Sequence, residues 1–324
     1  MELEKMKAVI IAGGFGTRLR PLSNVIPKPL IPLLDRPLIS HIIDSLPKCV
    51  ESVILATNYK SELLEEYFKN HRGNKELLVV KEDEPLGTGG ALKNVSRYID
   101  DTFVAFNGDI ISSIDVQSMI DYHLEKRGIG TIALWHANNP SDFGVVELSS
   151  DCRIEFFVEK PAPGQARSNL INAGIYVFDP KIFDYIGENF VSLEREVFPR
   201  IIGLGLYGYH FLGYWLDCGT RENFLAAQRT LLDLRGDGNY RTKLSRGAKL
   251  IPPNFLIDAE IESATIGPYV CINGPSTIGS ETLISNSLIM EGTRIGKGAF
   301  VRNSIVGPNV KIEDGEFIED KIVA

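Results

Sequence analysis

The chain has 324 residues, is 44% hydrophobic and carries a formal net charge of -8; that length suffices for one large α/β domain and a smaller module. An acidic field repels nucleic acid and anionic lipid, so neither is expected as the main partner. Cys49, Cys152, Cys218 and Cys271 lack CxxC spacing, which argues against a zinc site or a disulfide framework; with no apolar window of the ~18 residues a membrane span needs, a cytoplasmic protein is expected.

Strand and helix signals alternate through about residue 235. "KAVIIA", "SVILAT", "LLVV" and "TFVAF" are short β-branched or apolar runs, and "PLISHIIDSL", "SELLEEYFKN", "ALKNVSRYI" and "DVQSMIDYHLEK" between them have helical periodicity. Such alternation predicts a Rossmann-like, mostly parallel sheet covered on both faces. From about Gly130 strands crowd together in "TIALWHA", "FGVVELS", "RIEFFVEK", "NAGIYVF" and "LYGYHFLG", which predicts an antiparallel extension able to cover a substrate. "TRENFLAAQRTLLDL" predicts a closing helix capped by Thr220, with Glu222 in its first turn and an end at "RGDGN".

Past "IPPN" the period changes. Ile266, Ile272, Ile278, Ile284, Ile289, Ile295, Val301, Val306, Ile312 and Ile318 recur mostly six apart, and Gly267, Gly279, Gly296 and Gly307 each follow one of them. Alternation by two does not generate this register; a short left-handed parallel β-helix of about three coils does, each inward residue filling a corner of a triangular coil. The expected organisation is a first domain over 1–235, a linker over 236–257 and the β-helix over 258–324.

The opening stretch "AGGFGTRLRPLSNVIPKP" carries the strongest chemical signal. Between Glu4 and Asp35 there is no acidic residue, where about four would be expected from the overall composition. Behind the strand "KAVIIA", Gly13, Gly14 and Gly16 let the backbone turn so that N–H groups converge, an arrangement suited to a polyanion. Neither a Walker loop nor GxGxxG fits, because no GK[ST] follows and Leu19 stands at the third glycine position. Arg18 beside the loop, and Lys28 held between Pro27 and Pro29, add cations of limited freedom.

These residues resemble the signature of the sugar-1-phosphate nucleotidyltransferases. "EPLGTGGAL", "FNGD", "FGVVE", "VEKP", "NAGIYVF", "SLEREVFP" and "GYWLDCGT" match further blocks of that family in order, and among its subfamilies the mannose-1-phosphate guanylyltransferases are the most similar. The resemblance implies attack of a sugar 1-phosphate oxygen on the α-phosphate of a nucleoside triphosphate, with loss of pyrophosphate. Aligning two polyanions and neutralising the charge that gathers between them is then the main catalytic task.

By that resemblance Ala12, Gly13, Gly14, Gly16, Thr17 and Arg18 bind the nucleotide, and Arg18 holds the phosphates that leave. Lys28 meets the α-phosphate. Leu86, Gly87, Thr88 and Gly89 form a second loop against the base. Lys160 holds the sugar phosphate, Glu159 accepts from sugar hydroxyls, and Gly144, Asn172, Gly174 and Glu194 complete the sugar pocket. Asp109 and Asp217, each expected at a strand end, are the implied ligands of Mg²⁺, which takes few protein carboxylates and keeps waters. GTP and mannose 1-phosphate are the implied substrates; a glucose-1-phosphate thymidylyl- or uridylyltransferase and a non-catalytic sugar-nucleotide sensor are the alternatives. No histidine follows His210, so an acyltransferase site with a histidine base is not expected in the β-helix, whose expected role is homo-oligomeric assembly. The five histidines are expected to be structural or superficial.

Overall fold

The computed structural model describes residues 5–71 and 73–324; Met1 to Glu4, with which the expected first domain begins, lie outside the described residues. The chain divides into two compact units. One comprises the residues up to Phe15 with Ile42–Trp215, the other Gly16–His41 with Leu216–Ala324. The segment Gly16–His41, expected within the first domain, thus groups with the C-terminal residues.

The first unit is built on a nine-stranded sheet. Four parallel strands run in the spatial order Phe103–Asn107, Met6–Ile11, Val50–Thr57 and Glu76–Lys81. Leu170–Phe178 then pairs antiparallel with Phe103–Asn107 and leads into the extension formed by Gly130–His136, Gly144–Leu148, Ile154–Glu159 and Leu206–His210. The parallel half and the antiparallel extension follow the sequence pattern, except that Leu206–His210, expected within the antiparallel run, pairs parallel to Gly130–His136. The apolar runs converge on one buried cluster containing Val9, Ile54, Leu92, Phe103, Phe178, Phe183 and Phe198, in which Phe103 and Phe183 stack with centroids 5.4 Å apart.

Chain order gives this sheet a switch point. Met6–Ile11 is followed in this sheet by Val50–Thr57 on one side, whereas its other neighbour, Phe103–Asn107, is followed by Gly130–His136 on the opposite side, so the connections that leave the carboxyl ends of these two adjacent strands run in opposite directions. Open α/β sheets bind ligands in the crevice at such a point.

In the second unit the helix Arg221–Arg235 starts at Thr220, whose side chain accepts from Asn223 N at 3.2 Å, and ends at Gly236. Three parallel sheets of six, five and five strands follow and form the β-helix. All ten residues of the six-residue register lie in its interior cluster. Tyr269, Asn286, Asn303 and Asp320 repeat a left-handed backbone at one corner, so these coils close every 17 residues, one short of three hexads, as the five-residue steps in the sequence require.

The β-helix also begins earlier than expected. Gly238–Tyr240, Lys243–Leu244, Lys249–Leu250 and Asn254–Ile257 lie in the span read as a linker, and the first three pair in parallel with the next coil. Five coils are therefore completed and Ile322–Val323 starts a sixth, where three were expected. Only Leu244 and Leu250 mark the first coil with apolar residues opposite Ile261 and Ile266, a signal too sparse to establish a period.

Candidate active site

At the switch point of the first unit two loops leave adjacent parallel strands. Ala12 N donates to Ala56 O at 2.7 Å, and Gly108 N donates to Ile11 O at 2.9 Å, which ties the start of the glycine loop to the "NGD" turn. A Cβ on Gly108 would lie 2.8 Å from Ile11 O, so only glycine lets the two turns cross there. Asp109 follows directly in the chain, so the turn that bears it crosses the backbone at Ile11 and Ala12, where the glycine loop begins. The turn that bears this carboxylate and the start of an anion-binding backbone loop thus leave the sheet together, the pairing of elements a metal–phosphate complex requires.

The second glycine loop is anchored within the unit. Gly89 N and Gly90 N both donate to Val191 O, at 2.8 and 3.2 Å, and Val191 N donates to Leu86 O at 2.8 Å. Gly87 has φ +72°, and a Cβ there would lie 2.6 Å from Val191 O. Thr88 Oγ1 donates to Glu194 Oε2 at 2.7 Å and accepts from Leu193 N at 2.9 Å. The Gly89 amide, in the loop expected against the base, is thus engaged with the segment that carries Glu194.

Glu82 lies just upstream, and sequence reasoning missed it. It is 3% exposed; Oε2 accepts from Leu86 N at 3.2 Å, whereas Oε1 has no hydrogen-bond partner among the described residues. That oxygen is 3.1 Å from where a Cβ on Gly13 would sit. Burial pushes the carboxyl above the ordinary glutamate range, against the opposing Leu86 amide. In "KEDEPLG" the residue looks like one of several loop acids; only its burial distinguishes it.

The expected sugar-pocket residues come together. Glu159 Oε2 lies 2.9 Å from the Cβ position of Gly144, so glycine there makes room for this carboxylate. Asn172 Oδ1 accepts from Gly174 N at 2.9 Å, and its Nδ2 donates to Tyr176 Oη at 2.9 Å. Glu194 Oε2 also accepts from Ser192 Oγ at 2.8 Å. Burial, and then the neighbouring Glu194 carboxylate, push Glu159 upward, while Lys160 and Arg195 oppose this. Lys160 follows with a left-handed backbone, and its N donates to Phe143 O at 3.0 Å. Trp215 Nε1 donates to Ala173 O at 2.8 Å, and its ring meets Phe143 edge-on.

The second unit carries Arg18 and Lys28. Gly16 has φ +60°, and its Cβ position is 3.3 Å from Cβ of both Ser23 and Lys28; the two ends of the signature, with Thr17 and Arg18 just past Gly16, are therefore folded together. Asp217 Oδ1 accepts from Gly219 N at 2.7 Å. A Cβ on Gly219 would lie 2.6 Å from Arg18 Nη2 and 2.7 Å from that same Asp217 oxygen, so Gly219 is what allows guanidinium and carboxylate to share this space. Sequence reasoning quoted Gly219 in "DCGT" without giving it a role, because its neighbour Arg18 is remote along the chain.

Two of the histidines are structural. His41 Nε2 lies 2.8 Å from Leu33 O and His123 Nδ1 2.9 Å from Thr131 Oγ1; burial lowers both, His123 to about 4. No group of three or more His, Cys, Asp or Glu side chains suited to a metal occurs among the described residues. A protein-only cage is therefore not offered, and the donor set suits an ion that completes its shell with phosphate oxygens and water.

Residues 7–233 match the family described as Nucleotidyl transferase, and residues 250–324 match the GMPPB C-terminal domain. The chain is 36% identical over 303 residues to mannose-1-phosphate guanylyltransferase 1 of Arabidopsis thaliana, covering 90% of this chain and 82% of that protein. It is 33% identical over 309 residues to mannose-1-phosphate guanylyltransferase of Mycobacterium tuberculosis, covering 91% and 82%. Among solved structures, HddC from Yersinia pseudotuberculosis complexed with GMP-PN is similar with a TM-score of 0.58 and 27% identity, over 70% of this chain and 99% of that one. With the start of a glycine loop and the turn that bears Asp109 crossed at the switch point, and a match over residues 7–233 that takes in the sheet and most of the helix after it, the chain belongs to the nucleotidyl transferase family.

Proposed function

We propose that this protein transfers a guanylyl group from GTP to mannose 1-phosphate, giving GDP-mannose and pyrophosphate. The observation that supports the chemistry is the crossing of the turn that bears Asp109 with the start of the glycine loop, at the ends of adjacent parallel strands. The substrate pair is supported by the guanylyltransferases to which the chain is 33–36% identical over nine-tenths of its length.

A phosphate oxygen of mannose 1-phosphate forms the new bond to the α-phosphorus as the bond to the β-phosphate bridging oxygen breaks, and the electron pair leaves on pyrophosphate. Arg18 holds the departing phosphates, Lys28 the α-phosphate and Lys160 the sugar phosphate. Glu159 and Asn172 orient sugar hydroxyls. Members of this family use a divalent metal; we assign Mg²⁺, held by Asp109 and Asp217, where it would neutralise phosphate oxygens. The five side chains of charge opposite to their targets do the alignment, and no protein nucleophile is needed.

Glu82 supports guanine over thymine or uracil. Guanine presents two adjacent donors, N1–H and the 2-amino group, to an acceptor-only carboxylate, whereas thymine and uracil present one N–H flanked by carbonyls. The unpartnered Glu82 oxygen already lies against the Gly13 position, where a base entering beside the loop would meet it. Cytoplasmic action, with the cysteines as free thiols, and homo-oligomeric assembly through the β-helix complete the proposal.

Pyrophosphate release over four nucleoside triphosphates and mannose-, glucose- and N-acetylglucosamine-1-phosphate tests it. Dominance of GTP with mannose 1-phosphate is expected, with Glu82→Gln eroding the preference for GTP. Dominance of dTTP or UTP with glucose 1-phosphate would replace the substrates and keep the mechanism, and silence throughout would favour a sensor.

A further inference from the structure

One face of the β-helix is apolar on both sides. Leu256, Ile272, Ile289 and Val306 point inward, so their neighbours Phe255, Cys271, Leu288 and Ile305 point outward, since side chains alternate along a strand. These four are in register with one another and are nonetheless buried. The same unit supplies cover for them. Cys271 Sγ donates to Leu34 O at 3.6 Å, and Gln228 Nε2 of the closing helix donates to Tyr269 O and Ser287 O at 3.1 and 3.2 Å. Arg235 Nη1 pairs with Asp35 Oδ1 at 3.1 Å.

The outward row beside it has a gap. Gly307 follows Val306 as Met290 follows its partner Ile289, and a Cβ at Gly307 would lie 3.1 Å from Leu22 Cδ1 and 2.8 Å from Ala324 Cβ. Gly307 is not among the glycines with left-handed backbone, so the position uses its missing side chain and not its flexibility. Leu22 is fully buried and lies between Arg18 and Lys28 in sequence. Its neighbour Ser23 touches the Gly16 position that also touches Lys28. A shift of Leu22 is therefore passed directly to the turn that bears both cations.

We infer that the outer face of the β-helix sets the position of the phosphate-binding segment, through Leu22 seated in the notch at Gly307. Leu22 and Gly307 are positioning residues for Arg18 and Lys28, and the β-helix contributes to turnover within each chain. This rests on the roles of Arg18 and Lys28 proposed above.

The test is a cycle of Gly307→Ala, Leu22→Ala and the double variant in the full chain, read by pyrophosphate release and by hydrogen exchange of residues 17–31. Misplacement of a reacting group by 1 Å costs about 10²-fold, and the few tenths of an ångström that one methyl imposes here should lower kcat about tenfold. KM for the sugar phosphate should stay within about twofold, because the sugar-pocket residues belong to the other unit. Exchange in 17–31 should quicken in Gly307→Ala, and the double variant should recover most of both losses, since the smaller side chain fits the filled notch. Unchanged kcat and exchange in Gly307→Ala, or a double variant that loses the sum of the single losses, would overturn the inference. If Gly307→Ala does not fold, Leu22→Ala alone must show the kcat loss and faster exchange, and wild-type values there would equally overturn it. Altered exchange in a wild-type background that is silent with every substrate pair would refute the proposed reaction and leave the positioning contact standing.

Discussion

Adding one methyl at Gly219 separates catalysis from stability. The Cβ of Gly219→Ala would fall 2.6 Å from Arg18 Nη2 and 2.7 Å from Asp217 Oδ1, whereas ordinary heavy-atom contact is about 3.5–4.0 Å. Each atom must therefore retreat by roughly 1 Å. Both are ends of side chains, and Arg18 is exposed, so the fold can accommodate the change and Tm should stay within about 2 °C of wild type. Turnover is more sensitive: a displacement of ~1 Å corresponds to a loss of about 10²-fold, or ~2.7 kcal/mol of transition-state stabilisation. The assay is pyrophosphate release at saturating sugar phosphate with nucleotide and Mg²⁺ varied in turn. We expect the loss in kcat/KM for the nucleotide, with a higher Mg²⁺ requirement as Asp217 moves. Wild-type kcat/KM in Gly219→Ala, alongside an impaired Asp217→Asn, would refute the shared use of this space by Arg18 and Asp217.

Lys28→Ala should lower kcat about 10²- to 10³-fold, as removal of one preorganised donor from developing charge does elsewhere; turnover near wild type, with an unaltered circular dichroism spectrum, would remove Lys28 from the mechanism. Asp109→Asn and Asp217→Asn should each shift the Mg²⁺ titration of activity to higher concentration, and superimposable titration curves would sink the metal assignment. Glu159 has a folded-state pKa raised by burial and by Glu194, so the folded state holds its proton more tightly than the unfolded chain does. Wild-type stability then falls as pH rises from the ordinary glutamate value through the raised one. Glu159→Gln should accordingly melt at a higher temperature than wild type at neutral pH, with the difference vanishing below about pH 4; a difference independent of pH would contradict the burial penalty.

Much of the fold was legible because it repeats or alternates. Inward residues of the β-helix recur every five or six positions, and each has to be buried by the coils above and below it, so the period survives in the sequence. The parallel strands and the closing helix with Thr220 as its cap were legible for similar local reasons. The glycine loop and its cations stood out through composition alone, since one acid-free window in an acidic chain is a local fact.

Sequence did not reveal what depends on approach between distant segments. "FL", "CI", "LI" and "IV" at 255–256, 271–272, 288–289 and 305–306 place apolar residues on both sides of one β-helix face, a hint that something covers the outside. Nothing local says that the cover includes Leu34 and the helix after Thr220. The burial of Glu82 and the space at Gly219 likewise exist only once the chain has closed. The sequence by itself determined the periodic elements and the chemical inventory, because those rest on spacing and residue type along the backbone. Tertiary structure decided which glycines admit a neighbour, which carboxylates are desolvated and where the signature segment is anchored, because contact and desolvation are properties of space and not of sequence order.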